Sequence, residues 1–187
     1  MRRIGDMTDI HALTLDDNDA AQDDQHPAQR GRPPRLIAPQ ALAYDGYRWH
    51  VRAWACDRDD FHDSVLTRID RIKPGSATDF DSADDLEWEN FAKLDLRPHP
   101  GLTEEQSLAI QRDYAVKEGR RQIDVRLSMA YYFIMRMNLD LPDLPPARAQ
   151  ICLNNIDEVR KVIDDAKARS KARILERKGR SDDLAAR

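Results

Sequence analysis

Arg48, His50, Arg52 and Trp54 recur at every second position of the segment Tyr44-Asp-Gly-Tyr-Arg-Trp-His-Val-Arg-Ala-Trp54. Period-two alternation is that of a half-buried strand, so these four side chains share one face and Tyr47, Trp49, Val51 and Ala53 the other. Guanidinium forks grip phosphate in a bidentate fashion and rings stack on bases. The set therefore suits an anion carrying a flat ring, such as a nucleotide. This is the chemistry of recognition, with Trp49 and Val51 reading as core. Catalysis needs an activated group, and the chain has no nucleophile elbow, Walker loop, Rossmann glycines or HExxH helix, so no enzyme is expected. Asp57, Asp59 and Asp60 cluster at a hairpin tip, where aspartates form turns. His11, His50, His62 and His99 lack ligand spacing and a supporting Cys/His/Asp cluster, which argues against a metal; no cofactor is expected.

The elements that must position this face come from a chain of 187 residues, enough for one domain or two small ones. Only 41% of residues are hydrophobic, so the core is modest, and a net charge of −4 disfavours non-specific nucleic-acid binding by the chain as a whole. A local basic site remains compatible with that balance because the charges are unevenly spread. Cys56 and Cys152 are far apart, no apolar run is long enough to span a bilayer, and Arg2-Arg3 is not followed by a signal sequence. These features predict a soluble cytoplasmic protein with free thiols.

Residues 1–34 hold seven aspartates and no aromatic residue, which predicts a disordered acidic tail. Leu36-Ile37 and Leu42–Tyr44 read as short strands. Asp45-Gly46 is a hairpin signal leading into a strand Tyr47–Ala55, and after a turn at 57–60 a further strand runs Phe61–Ile72. Residues 76–90 carry six acidic and no basic side chains and read as a solvated linker, although such a run can also pack against a basic neighbour. A strand is predicted over Phe91–Arg97 and a helix from Thr103, with Gln106 completing a capping box. A short strand at Gln122–Val125 precedes a helix over Arg126–Asn138 that is apolar around most of its circumference and must be covered on both sides, by the sheet or by another subunit. Ala149–Leu153 reads as an edge strand. Asn155, with Glu158 at the capping-box position, opens a last helix; its 166–180 stretch has seven Lys/Arg against one Glu and is expected to protrude or fray.

The blocks Arg35-Leu-Ile-Ala-Pro-Gln-Ala-Leu-Ala-Tyr-Asp-Gly-Tyr-Arg-Trp-His-Val-Arg-Ala-Trp54 and Phe61-His-Asp-Ser-Val-Leu-Thr-Arg-Ile69 resemble the WYL domain, its triplet falling on Trp49-His50-Val51. Trp88 through Arg97-Pro-His-Pro-Gly-Leu102, Gln111-Arg-Asp-Tyr114 and Val125-Arg126 before Tyr131-Tyr132 look like the extension that follows it, most similar to phage-defence repressors of the BREX and CBASS systems. The resemblance implies an α+β protein: a small Sm-like (SH3-like) antiparallel β-barrel, here incomplete, then an αβ C-terminal extension and a protruding C-terminal helix. The domains are then a tail at 1–34, a WYL-like ligand-sensing domain at 35–75 truncated at its N-terminal side, a linker at 76–87, a dimerisation extension at 88–155, and a basic helix and tail at 156–187.

The implied role is ligand sensing and dimerisation in a transcriptional regulator without its own winged-helix DNA-binding head. The ligand is a nucleic acid or nucleotide, single-stranded or a cyclic oligonucleotide. Arg52 and Arg68 are the leading contacts, with Arg35 before the Pro39 strand, His50 in the triplet's tyrosine position and His62 in place of an arginine. Alternatively Arg52 and Arg68 pair with Asp63, Asp70 or nearby acids. A separate alternative is an interaction or dominant-negative subunit that dimerises with a full-length regulator and binds no ligand. Either way a homodimer or such a heterodimer is implied, with no membrane partner.

Overall fold

The computed structural model describes residues 11–17, 35–77, 80–141 and 143–185. They divide into two units: residues up to Asp85 together with those from Ile174 onward, and Leu86–Arg173. The class is mixed α+β, with an antiparallel sheet in each unit.

The first unit is built from β1 (His11–Asp17), β2 (Arg35–Tyr44), β3 (Trp49–Ala55), β4 (Asp60–Val65) and β5 (Ile69–Ala77), in the order β4-β3-β2-β1-β5. β1 lies inside the stretch expected to be disordered and pairs with β2 and β5; residues 1–10 and 18–34 lie outside the described residues. The strand expected over Phe61–Ile72 is broken by a 3-10 turn at Leu66–Arg68, which lets β5 leave β4 and pair with β1. No pairing joins β4 to β5 among the described residues, so the sheet is open rather than a closed barrel. The two short strands expected over 36–44 are one, with a register shift between Pro39 and Ala41. At the β2–β3 hairpin Asp45 closes the turn with its side chain, accepting from the backbone N–H of Tyr47 (2.7 Å) and Arg48 (2.8 Å), and Gly46 adopts φ 91°. Such an Asx turn replaces the two-residue hairpin turn.

Both faces of β3 are covered. Val51 and Ala53 pack with Ile37 and Ile69, while Trp54 packs with Ala38, Phe61, Phe80 and Ile174. Trp49, expected in the core, is instead 48% exposed, with its ring 5.2 Å from that of Tyr44. It sits at the end of β3 beyond the covering residues. The acidic stretch is not solvated throughout: Phe80, Asp84, Asp85 and Leu86 are buried. The last helix does not fray where the basic stretch begins, because Ala166, Ser170 and Ile174 are buried at helical spacing.

The second unit has β6 (Phe91–Pro98) between β7 (Arg121–Arg126) and β8 (Ile151–Leu153), with α1 (Leu86–Glu89), α2 (Glu104–Asp113), α3 (Leu127–Arg136) and α4, which runs Ile156–Ala185 and continues into the first unit's residues. Alternation along β6 sends Ala92, Leu94 and Leu96 into a core with Ile110, Leu127, Ile134, Ile151, Leu153 and Val159. The Thr103/Gln106 capping box at α2 is present in both directions. Asn155 directly precedes the last helix, as expected, its carbonyl accepting from Val159 N–H (3.1 Å), and its side chain also ties the helix start to β6. Its amide oxygen accepts from the Asp95 backbone N–H (2.9 Å), and its amide nitrogen donates to Lys93 O and Glu158.

Asp95, on the other face of β6, is the polar hub of this unit. It is buried and accepts from Arg120 (2.7 Å), Arg97 (3.2 Å) and the Asn154 amide (3.2 Å). Burial pushes its carboxyl up, but the hydrogen bonds and charges of Arg120 and Arg97 outweigh this and hold it below the ordinary value of 3.8. A carboxylate with a lowered folded pKa stabilises the fold above its unfolded pKa, and that contribution is lost as pH falls through the lowered value. Asp95→Asn is therefore expected to cost about 2 kcal/mol at neutral pH. It should also flatten the acid side of the stability profile, read by urea unfolding across pH. An unchanged profile would show that Asp95 is not the titrating group.

Candidate functional site

Strand register places the five residues singled out from the sequence. Arg52 pairs across with Ala41 on β2 and Asp63 on β4, and His50 with Ala43 and Val65, so Arg52 and His50 share one face with Trp54. His62 pairs with Ala53 and Arg35 alternates with Ile37, so both fall by register on the opposite face. Arg68 is partly exposed in the turn between β4 and β5. Register thus brings two of the five together and separates the others.

The shared face is filled by the chain itself. Arg52 is 3% exposed, and its guanidinium forks onto Asp85, Nε donating to Oδ2 at 2.8 Å and Nη2 to Oδ1 at 2.7 Å. Its Nη1 donates to Asp63 at 3.0 Å. Gln40 also donates to Asp85. Beside this cluster the Phe80 ring lies parallel to Trp54, with centroids 5.9 Å apart and an interplanar angle of 3°, and Phe61 meets both rings edge-on. Asp84 holds Arg177 at 2.9 Å, and Lys178 pairs with Asp59. His50 is fully buried with Nε2 3.0 Å from Asp45. Burial raises the Asp45 carboxyl, but the bonds from His50 and the backbone N–H groups of Arg48 and Tyr47 prevail and lower it.

Asp85, Asp63, Gln40 and Phe80 were not selected from sequence. Asp63 had been weighed as an ion-pair partner, and the excess of acid over base at 76–90 was the available signal for Asp85. Among the described residues no group of His, Cys, Asp and Glu is placed to hold a metal ion, and no helix is long and apolar enough to cross a membrane.

The second unit offers a different kind of surface. Tyr131 and Met135 on α3 are 47% and 44% exposed, and they border a groove of about 280 Å³ that Ile134 and, from α4, Ile163 also line. Arg160, Asp164, Lys167 and Asp140 add charges of both signs. Apolar residues at the centre with mixed charges alongside are the composition of a protein interface. A second feature is the Arg126 guanidinium, 4.3 Å from the Trp88 ring centre and 4.7 Å from that of Phe91.

The second unit thus combines an α+β fold with a helix face on which large apolar side chains are partly exposed. Residues 91–159 match the family described as the BrxR transcriptional regulator, C-terminal dimerization domain. The chain is also 35% identical over 127 residues to the DNA-binding transcriptional repressor CapW of Escherichia coli, covering 67% of this chain and 42% of the relative. It is 38% identical over 132 residues to that of Pseudomonas aeruginosa (69% and 44%), and 35% over 129 residues to that of Stenotrophomonas maltophilia (67% and 43%). The chain thus spans less than half the length of the curated relatives it matches. The likeness is thus to transcriptional repressors over part of their length and, at residues 91–159, to a regulator's dimerisation domain.

The two arginines differ sharply in what their removal should do. Arg52→Ala leaves two buried carboxylates without their guanidinium and is expected to cost about 3–5 kcal/mol. Arg68→Ala, in a partly exposed turn, should cost about 1 kcal/mol or less. Equilibrium denaturation of both variants checks this, and a neutral Arg52→Ala would show the cluster to be dispensable for folding.

Proposed function

We propose that the chain is the ligand-sensing and dimerising part of a WYL-type transcriptional regulator. Residues 91–159 assemble two copies, and the open Sm-like sheet of the first unit recognises a nucleic acid or nucleotide through Arg52 and Arg68. The observation that carries this reading is the match of residues 91–159 to a dimerisation domain, since it falls on the unit whose α3 leaves Tyr131 and Met135 uncovered. The likeness to repressors supports a role in transcription, and phage defence follows the resemblance to the BREX- and CBASS-associated regulators. Sensing rests on the grouping of Arg52 and Trp54 on one strand face, a guanidinium fork beside an indole.

A second reading is favoured by the engagement of Arg52 with Asp85 and Asp63. Here the chain is an interaction subunit that pairs with a full-length relative and binds no ligand, with the cluster serving the fold alone.

Two measurements separate the claims. Met135→Glu places a charge at an exposed apolar position, so the fold should persist while a dimer through this face weakens by about 30-fold or more. Light scattering of the wild-type chain and the variant should give a dimer and a monomer at the same concentration; a monomeric wild type rejects self-assembly. Fluorescence anisotropy with labelled single-stranded and cyclic oligonucleotides tests sensing. Arg68→Ala is expected to weaken binding by about 10- to 100-fold through the loss of a charge-assisted contact. Folded protein that binds none of these probes, whether wild type or altered at Phe80 or Asp85, leaves the interaction subunit.

A further inference from the structure

We infer that the segment Phe80–Asp85 is a tethered occupant of the ligand face: the Phe80 ring on Trp54 stands where a base would stack, and the Asp85 carboxylate on Arg52 stands where a phosphate would sit. The inference rests on the sensing reading above and adds how that site is regulated and which anion it takes.

The geometry has both halves of a nucleotide's contacts. A parallel ring at 5.9 Å and 3° is an offset stack of the kind that bases make on indole. The Asp85 carboxylate meets the guanidinium through two parallel N–H···O bonds at 2.7 and 2.8 Å, the same fork that grips a phosphate's two free oxygens. All four groups are sealed from water, with Asp85 fully buried, Trp54 2%, Arg52 3% and Phe80 9% exposed.

The segment is also held in a way that allows exchange. Its regular structure is one three-residue 3-10 turn at Ser82–Asp84, capped by the Asp81 side chain. The backbone N–H groups of Asp84 and Asp85 bond locally, to Asp81 O at 3.0 Å and Ser82 O at 3.2 Å. Side chains add to this anchoring: Asp84 bonds Arg177, Asp85 bonds Arg52, and Phe80 stacks on Trp54. A buried ion pair adds little net stability after desolvation, so replacing one anion by another on Arg52 costs far less than removing the anion altogether.

Charge selects the ligand. Arg52 faces two carboxylates, Asp63 and Asp85. A phosphodiester carries one negative charge, as Asp85 does, and leaves the balance of the cluster unchanged when it takes that place. A terminal phosphate near its second ionisation brings additional charge beside Asp63 and is disfavoured. The occupant displaced by the ligand thus selects a singly charged anion, which in a nucleotide ligand is a phosphodiester rather than a terminal phosphate.

The test uses the full chain and a labelled single-stranded oligothymidylate, comparing wild type with Asp85→Asn and Phe80→Leu. Circular dichroism checks that each variant is folded. If the closed form holds all but about a tenth of the population, opening it should tighten binding about tenfold. Adding the unlabelled oligonucleotide to wild type should also speed hydrogen exchange at the amides of Asp84 and Asp85. Thymidine monophosphate should compete less well than a thymidine dinucleotide. A wild type that binds weakly or not at all, with affinity gained in either folded variant, supports the tethered occupant most directly. Equal affinities with unchanged exchange at Asp84 and Asp85 overturn it while sensing stands. No binding by wild type or by any folded variant rejects sensing at this face, and the occupant with it. Should Asp85→Asn fail to fold, Phe80→Leu and the wild-type exchange measurement decide the matter alone.

Discussion

A guanidinium that never loses its charge, placed at 3% exposure, is the constraint around which the first unit is organised. Burying such a group without anions would cost more than the unit could recover, so two carboxylates must reach it. One comes from register: antiparallel pairing puts Asp63 on β4 directly across from Arg52 on β3. The other comes from chain path, because Asp85 is 33 positions away and arrives only if Phe80–Asp85 folds back over the sheet. The stack of Phe80 on Trp54 and the burial of Ile174 in the same cluster are the apolar side of that arrangement.

The second unit handles a buried charge differently. Asp95 lies on the polar side of β6 under two arginines that are each about half exposed, so its partners keep much of their hydration. It ties β6 to the residues before β7 and after β8 by hydrogen bonds, while the apolar side of the same strand makes the core. Its charge thus organises a sheet. The Arg52 cluster instead combines groups that also suit ligand recognition, and the two units correspondingly carry different proposed roles, sensing in one and assembly in the other.

A buried ion pair is by itself weak evidence for either stability or function. What distinguishes the Arg52 cluster is the company it keeps: a parallel aromatic stack beside a bidentate fork, both supplied by one short segment. That combination reconciles a recognition face read from strand alternation with a structure in which the face is covered. On the proposal that Phe80–Asp85 occupies the ligand face, the same residues support two readings because a site closed by its own chain resembles a core.

Much of the local structure was legible from residue types. Alternation along β3 and β6 identified the strands and which side chains share a face, and Thr103 with Gln106 marked the start of α2, because these signals depend on neighbours in sequence. The uncovered side of α3 was likewise visible as an excess of apolar positions. Other features depended on distant partners. β1 is short, lies among aspartates and gains its hydrogen bonds only from β2 and β5, and the break at Leu66–Arg68 follows from where β5 must pair. Arg52 and Asp85 each read as exposed charges when taken alone. Only the tertiary structure could decide that they bury one another, because desolvation and pairing are properties of the pair and of the path that joins them, and no stretch of sequence contains both.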